Sequence, residues 1–195
     1  MLAQTGAVRE AGLAEMNARM GVALQLDRLY QTDLALAQLD AVIAAKPAVP
    51  AGILAKATEQ RRLARQRLDD TAYRLSIEGW RAFERGDLSQ AVRALTTSLS
   101  QRPGEPVTRY RLARVLIAQA NEGEALQILE DIIRERSRTP PTFLADACVE
   151  AARIHAQRGD RGRAIALYGT AGTVFGADER TKAMARREAA RLTSR

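Results

Sequence analysis

The chain has 195 residues, of which 46% are hydrophobic, and it carries a formal net charge of +7. Its single cysteine excludes an intrachain disulfide, and one histidine beside one cysteine excludes a zinc site built from four nitrogen or sulfur ligands. Nowhere do eighteen apolar residues run together, so the sequence predicts a soluble chain without a transmembrane helix.

The composition favours helices. Alanine, leucine and arginine dominate, and aromatic residues make up 4% of the chain. The first three are good helix formers, whereas the β-branched and aromatic residues that favour strands are few. Apolar residues recur at spacings of three and four, so each predicted helix has one face to bury. We therefore expect an all-α protein.

Glycine followed by aspartate marks two connections between helices. Gly86 and Asp87, like Gly159 and Asp160, pair a left-handed C-cap with an N-cap. Prolines, which cannot continue a helix interior, mark longer breaks. These signals predict helices over residues 7–29, 33–46, 51–69, 71–85, 88–101, 106–119, 122–136, 141–158, 161–174 and 177–193.

A repeat appears in the positions of small and apolar residues. An alanine follows each of three predicted turns, at Ala91, Ala125 and Ala164. Apolar or small residues stand four and seven positions later, at Leu95, Leu129, Tyr168, Ser98, Ile132 and Ala171. The helix before each turn has a small residue, at Gly79, Ala113 and Ala152. A fainter upstream copy comprises Ala23, Ala35, Leu39, Val42 and Pro47. Helix backbones approach closely only where a small side chain lies between them.

This pattern resembles the tetratricopeptide repeat, a 34-residue helix pair with a small residue in its first helix, an alanine in its second and a closing proline. The resemblance covers residues 72–176 and, more faintly, 14–48, although Glu78 stands where a leucine is usual. It implies an α-solenoid of about three to four degenerate antiparallel pairs. We expect a single helical-repeat domain over 1–195, with a degenerate pair at 1–50, an extra helix at 51–70, three units at 71–176 and a capping helix at 177–195.

The sequence does not favour catalysis. Cys148 and His155 are seven residues apart, which is a rise of about 10.5 Å on one helix. A nucleophile and its base need about 3 Å between heavy atoms. We expect both residues to pack in the core. We predict no enzyme activity, no cofactor and no metal.

The resemblance implies a groove lined by the first helix of every pair, which would bind another protein. The candidate residues there are Tyr73, Trp80, Phe83, Tyr110, Arg111, Arg114 and Arg153. Arginines beside aromatic residues would suit an acidic partner segment, because guanidinium groups bind carboxylates in a bidentate manner. The alternative is that the aromatic stripe packs against the extra helix. The family's clamp for C-terminal carboxylates uses lysine and asparagine, and Ser76, Trp80 and Arg111 occupy those places.

The leading interpretation is a protein-binding scaffold. Nucleic-acid binding through the basic surface is a second hypothesis, which the irregular spacing of the units disfavours. Self-association, as a homo-oligomer or a module of a larger protein, is a third. The compartment stays open: the cytoplasm is favoured, and a periplasmic location would require a signal segment outside the chain.

Overall fold

The computed structural model describes residues 2–45 and 49–194. These residues form ten α-helices and no strand. The helices are α1 (Leu2–Arg28), α2 (Thr32–Ala44), α3 (Ala51–Leu68), α4 (Thr71–Glu84), α5 (Leu88–Gln101), α6 (Pro106–Ala118), α7 (Glu122–Arg134), α8 (Pro141–Gln157), α9 (Arg161–Ala171) and α10 (Glu179–Thr193). No helix in this part of the chain combines the length and apolar character that a membrane span needs.

The predicted helix boundaries agree with these bounds to within two residues, except at the start of α1 and the end of α9, which ends at Ala171 and not at the predicted residue 174. Helix α1 begins at Leu2, well before the predicted residue 7, because Thr5 and Gly6 do not interrupt it. Helix α10 begins at Glu179, because the Asp178 side chain accepts hydrogen bonds from the backbone N–H groups of Arg180 and Thr181.

One turn geometry recurs four times. In each case a backbone N–H donates to the carbonyl five residues earlier, which is the outer bond of a Schellman motif. The bonds run from Gln31 to Leu26, Asp87 to Ala82, Asn121 to Leu116 and Asp160 to His155, each at 2.9 Å. The residue before each donor is left-handed: Tyr30 (φ 59°), Gly86 (φ 82°), Ala120 (φ 61°) and Gly159 (φ 82°). The four turns place the following helices in the same register.

The register predicted from the sequence coincides with the buried positions. Ala91, Ala125 and Ala164 are completely buried, and each lies four residues after the donor of a Schellman bond. The later positions of the repeat, at Leu95, Leu129, Tyr168, Ser98, Ile132 and Ala171, are buried too. In the upstream copy Ala23, Ala35, Leu39 and Val42 are buried, and Pro47 lies outside the described residues. The alanines therefore mark close helix contacts.

The described chain divides into two compact units. The first comprises residues 1–77 and the second 78–195. In the first unit α2 packs against α1 and α3. Its core contains Met20, Ala23, Leu39, Val42, Val49 and Ala57. The extra helix predicted near 51–69 is α3, and it belongs to this core through Ala57. The organisation into a single domain stays a prediction.

In the second unit every helix from α5 to α10 packs against the next one along the chain. In addition, α6 contacts α8, and α8 contacts α10. Over the described residues α5, α7 and α9 make no such contacts with one another. Helices α6, α8 and α10 are therefore called the inner helices, and α5, α7 and α9 the outer helices.

Candidate protein-binding surface

The predicted groove residues fall in both units. Tyr73 belongs to the first unit, where its hydroxyl lies 2.5 Å from the Thr32 hydroxyl. Its ring centroid lies 5.6 Å from that of Tyr30. Tyr73 therefore ties the start of α4 to the turn between α1 and α2. The other six candidates, Trp80, Phe83, Tyr110, Arg111, Arg114 and Arg153, belong to the second unit.

Trp80 and Phe83 lie three residues apart on α4, with ring centroids 5.0 Å apart. The guanidinium carbon of Arg111 lies 5.7 Å from the centre of the Trp80 ring, which is cation–π geometry. Arg111 is only 3% exposed. Its charge therefore supports packing between α4 and α6 within the second unit.

Tyr110 is also buried, at 5% exposure. Its ring meets Phe143 of α8 edge to face, with centroids 5.6 Å apart. The Arg114 guanidinium donates a hydrogen bond to the Tyr110 hydroxyl oxygen at 3.2 Å. Burial raises the pKa of Tyr110 to about 12, and the negative charge of Asp146 acts in the same direction. The aromatic ring thus holds α6 against α8, while its hydroxyl positions Arg114.

Glu150 connects two of the predicted arginines. Its carboxylate lies 3.5 Å from the Arg114 guanidinium and 3.2 Å from that of Arg153. The Glu150 side chain is 12% exposed, whereas Arg114 is 34% exposed and Arg153 is 51% exposed. Two arginines therefore share one largely buried carboxylate.

A second polar contact joins α8 to α10. The Thr181 hydroxyl donates to the Asp146 carboxylate at 3.2 Å. Burial raises the pKa of the Asp146 carboxyl above its ordinary value, although the bond from Thr181 opposes this shift. The inner helices are therefore linked in series, α6 to α8 by Tyr110 and Glu150, and α8 to α10 by Asp146.

Beyond this contact lies a cleft of about 360 Å³ between α8, α9 and α10. Its lining residues are Arg153, Ala156, Gln157, Tyr168, Met184, Glu188 and Arg191. The sequence pattern predicts Arg153 at a binding surface and α10 as a cap, so it does not predict the α10 wall of this cleft. The signal was present: Met184, Glu188 and Arg191 follow the spacing of one helical face.

Cys148 and His155 do not form a reactive pair. Cys148 is completely buried, and burial raises the pKa of its thiol to about 11. His155 lies between two carboxylates, with Nε2 3.4 Å from Glu130 and Nδ1 3.2 Å from Asp160. Cys148 thus packs in the core as expected, whereas His155 is partly exposed and joins α8 to α7 and to the next turn. Within the described residues no cluster of His, Cys, Asp or Glu is arranged to hold a metal ion.

Residues 82–141 match the family model described as tetratricopeptide repeat. Among solved structures the chain is similar to the crystal structure of the P58(IPK) TPR domain, with 17% sequence identity and a TM-score of 0.50. The match covers 92% of this chain and 46% of that one, so this chain spans less than half its length. The sequence matches no curated protein at a significant level. The likeness in fold confirms the predicted all-α, α-solenoid class.

Proposed function

Since this chain is a tetratricopeptide-like helical-repeat protein, as its sequence pattern indicated, we propose that its inner helices bind a segment of another protein. Repeats of this family generally mediate protein–protein interactions, and they are typically scaffolds without catalytic activity. The proposal places the bound segment along α6, α8 and α10 of the second unit.

The observation that carries the proposal is the polar network on the inner helices. Tyr110, Arg114, Glu150 and Arg153 come from two repeats, and their contacts hold the guanidinium groups in defined positions at the surface. Side chains ordered in this way lose less conformational entropy when a partner binds. Arginine side chains are enriched among the residues that contribute most to protein-binding sites.

The N–H donors of this network favour an acidic segment. Arg114 and Arg153 share Glu150, and the charge of Asp146 also acts on Arg114. Both guanidinium groups are partly exposed, and each has five N–H donors. A carboxylate from a partner can therefore accept charge-assisted hydrogen bonds without displacing Glu150.

Site-specific photo-crosslinking tests the proposal. Gln157 lies at the end of inner helix α8 and Gln127 lies in outer helix α7, and both side chains are exposed. The same photoreactive residue placed at either position gives two proteins with matched chemistry, one on an inner helix and one on an outer helix. We expect the Gln157 derivative to crosslink a discrete protein in nuclease-treated lysate of the source cells, and the Gln127 derivative to crosslink it weakly or not at all.

The crosslinking pattern distinguishes binding on the inner helices from the alternatives. Equal crosslinking from both positions, or none above background from Gln157, would contradict binding on the inner helices. A crosslinked species of twice the mass of the chain would instead identify self-association. Both outcomes are read from the mass and identity of the adduct.

Nucleic-acid binding is less favoured by the distribution of charge. Within the described residues many arginines already pair with acidic side chains. Such pairs include Arg19 with Glu15, Arg61 with Asp40, Arg62 with Glu59, Arg67 with Asp27 and Arg109 with Glu135. Phosphate-binding surfaces instead need arginine and lysine charges that are available to the nucleic acid. Capture of nucleic acid that weakens steeply with added salt would support this alternative.

A further inference from the structure

The cleft between α8 and α10 has walls from two inner helices and a base from α9. Asp146 meets Thr181 at one point, and the cleft follows at Arg153 to Gln157 on α8 and Met184 to Arg191 on α10. Residue numbers rise together along the two walls, so α8 and α10 run parallel. Tyr168 of α9 is 4% exposed and lies between them. The cleft is therefore built from three helices.

Two arginines lie on the two walls of this cleft. The Arg153 side chain is 51% exposed and the Arg191 side chain is 55% exposed. Arg153 donates through Nη1 to Glu150, and Arg191 donates through Nε to Glu188. Because each guanidinium has five N–H donors, both retain donors for a further acceptor. Glu150 and Glu188 therefore hold the two arginines in place, while each guanidinium keeps N–H groups that can donate to a partner.

The charge of the surroundings is set mainly by α10. In the cleft itself Glu150 pairs with Arg153 and Glu188 pairs with Arg191, so the two arginines and the two carboxylates balance. Helix α10 has five basic and two acidic side chains, which gives this wall a positive potential. Such a potential concentrates anionic groups near the surface.

The remaining lining is apolar. Ala156 and Met184 contribute apolar atoms to the two walls, and the Tyr168 ring lies between them. Burial raises the pKa of the Tyr168 hydroxyl, and its hydrogen bond with Arg153 opposes that shift. Tyr168 therefore stays a neutral hydroxyl near the arginines. An occupant of this cleft needs an acidic group beside an apolar group.

We propose that this cleft binds an aspartate or glutamate side chain of the partner segment, with Arg153 and Arg191 as its two cationic contacts and Met184 against a neighbouring apolar residue. The proposal rests on the proposed function and makes it more specific. It commits to an acidic side chain within the segment, because the cleft opens beside the inner-helix network along which the segment would run.

Peptide pools and the purified full chain test the inference directly. Two pools of randomised octapeptides, acetylated and amidated at their ends, differ in one fixed central residue, Glu or Gln. A third pool has the fixed Gln and a free terminal carboxylate. Retention of each pool on immobilised protein is quantified by mass spectrometry. We expect the Glu pool to be retained about tenfold more than the blocked Gln pool, as charge-assisted hydrogen bonds imply.

Two double variants test whether the preference for the Glu pool depends on the cleft. Arg153→Gln with Arg191→Gln should abolish the preference for the Glu pool. Arg93→Gln with Arg161→Gln removes the same charge from exposed positions on outer helices α5 and α9, and should leave the preference unchanged. Thermal unfolding followed by circular dichroism establishes that both double variants are folded. High salt should weaken the preference of wild type, since the arginines are half exposed.

The outcomes separate this inference from the proposed function. Equal retention of the Glu and Gln pools, no retention of any pool, or a preference that survives Arg153→Gln with Arg191→Gln, overturns the acidic-side-chain site. Stronger retention of the free-carboxylate pool than of the Glu pool also overturns it. The crosslinking comparison between Gln157 and Gln127 decides the proposed function independently of these results.

Discussion

Gly79 of α4 faces the side chain of Leu95 on α5 so closely that there is no room for a Cβ atom. A Cβ built on Gly79 would lie 2.6 Å from Leu95 Cγ and 3.2 Å from the carbonyl oxygen of Ala91. Leu95 is completely buried and cannot move into solvent. The small residue predicted in the first helix of this repeat is therefore a requirement of helix packing.

Gly79→Ala should destabilise the second unit. Overpacking costs about 1 to 3 kcal/mol, and the better helix propensity of alanine returns up to about 1 kcal/mol. We expect a net loss of about 1 kcal/mol in the free energy of unfolding, measured by urea denaturation. Gly169 of α9 is the control, because nothing lies within 4 Å of its added Cβ. Gly169→Ala should stabilise by about 0.5 to 1 kcal/mol. Equal effects of the two changes would contradict the packing argument.

Ala120→Gly should stabilise the protein. Ala120 is left-handed at φ 61°, in the position that Gly86 and Gly159 occupy in two other turns. A left-handed alanine costs about 1 to 2 kcal/mol, which glycine would avoid. The greater conformational freedom of glycine in the unfolded chain offsets part of this stabilisation. We expect a net gain of up to about 1 kcal/mol in urea denaturation. Ala166→Gly, at an exposed position in the interior of α9, should instead destabilise by about 0.5 to 1 kcal/mol. A loss of stability in Ala120→Gly would count against the shared turn geometry.

Ala125→Leu tests the register of the repeat. Ala125 is completely buried in outer helix α7, four residues after the donor of a Schellman bond. A leucine there should cost about 1 to 3 kcal/mol by overpacking. Ala166 of outer helix α9 is exposed, and Ala166→Leu should change stability by less than about 0.5 kcal/mol. Thermal unfolding of both variants makes the comparison, and an unchanged melting temperature in Ala125→Leu would refute the register.

Tyr110→Phe should change how stability depends on alkaline pH. The pKa of Tyr110 is raised to about 12 in the folded protein, so the unfolded chain releases this proton first. The resulting stability is fully present below the ordinary pKa of about 10 and is lost as the pH rises through about 12.

Because phenylalanine has no such proton, Tyr110→Phe should lose less stability than wild type above the ordinary tyrosine pKa. Near neutral pH the variant lacks the hydrogen bond from Arg114, which is worth about 0.5 to 1.5 kcal/mol. Urea denaturation across the pH range measures both effects. Parallel pH profiles of wild type and variant would show that the pKa of Tyr110 is not raised in the folded protein.

The sequence by itself determined the helices and the repeat. Gly86, Asp87, Gly159 and Asp160 act through bonds to residues a few positions away, so local chemistry was sufficient to place these turns. Buried alanines at fixed offsets also repeat along the chain, because every helix pair meets the same packing requirement. Ala120 had no such local signal, since alanine rarely adopts a left-handed conformation.

Only the tertiary structure decided which candidate groove residues are accessible. The sequence grouped Arg111, Arg114 and Arg153, but stacking on Trp80 buries Arg111, while Glu150 holds the other two at the surface. The tertiary structure also decided that α10 contributes a wall to a cleft, because Met184 and Arg191 lie across from Arg153 only once α9 has brought α10 back beside α8. Such contacts join residues more than thirty positions apart, and no local pattern encodes that distance.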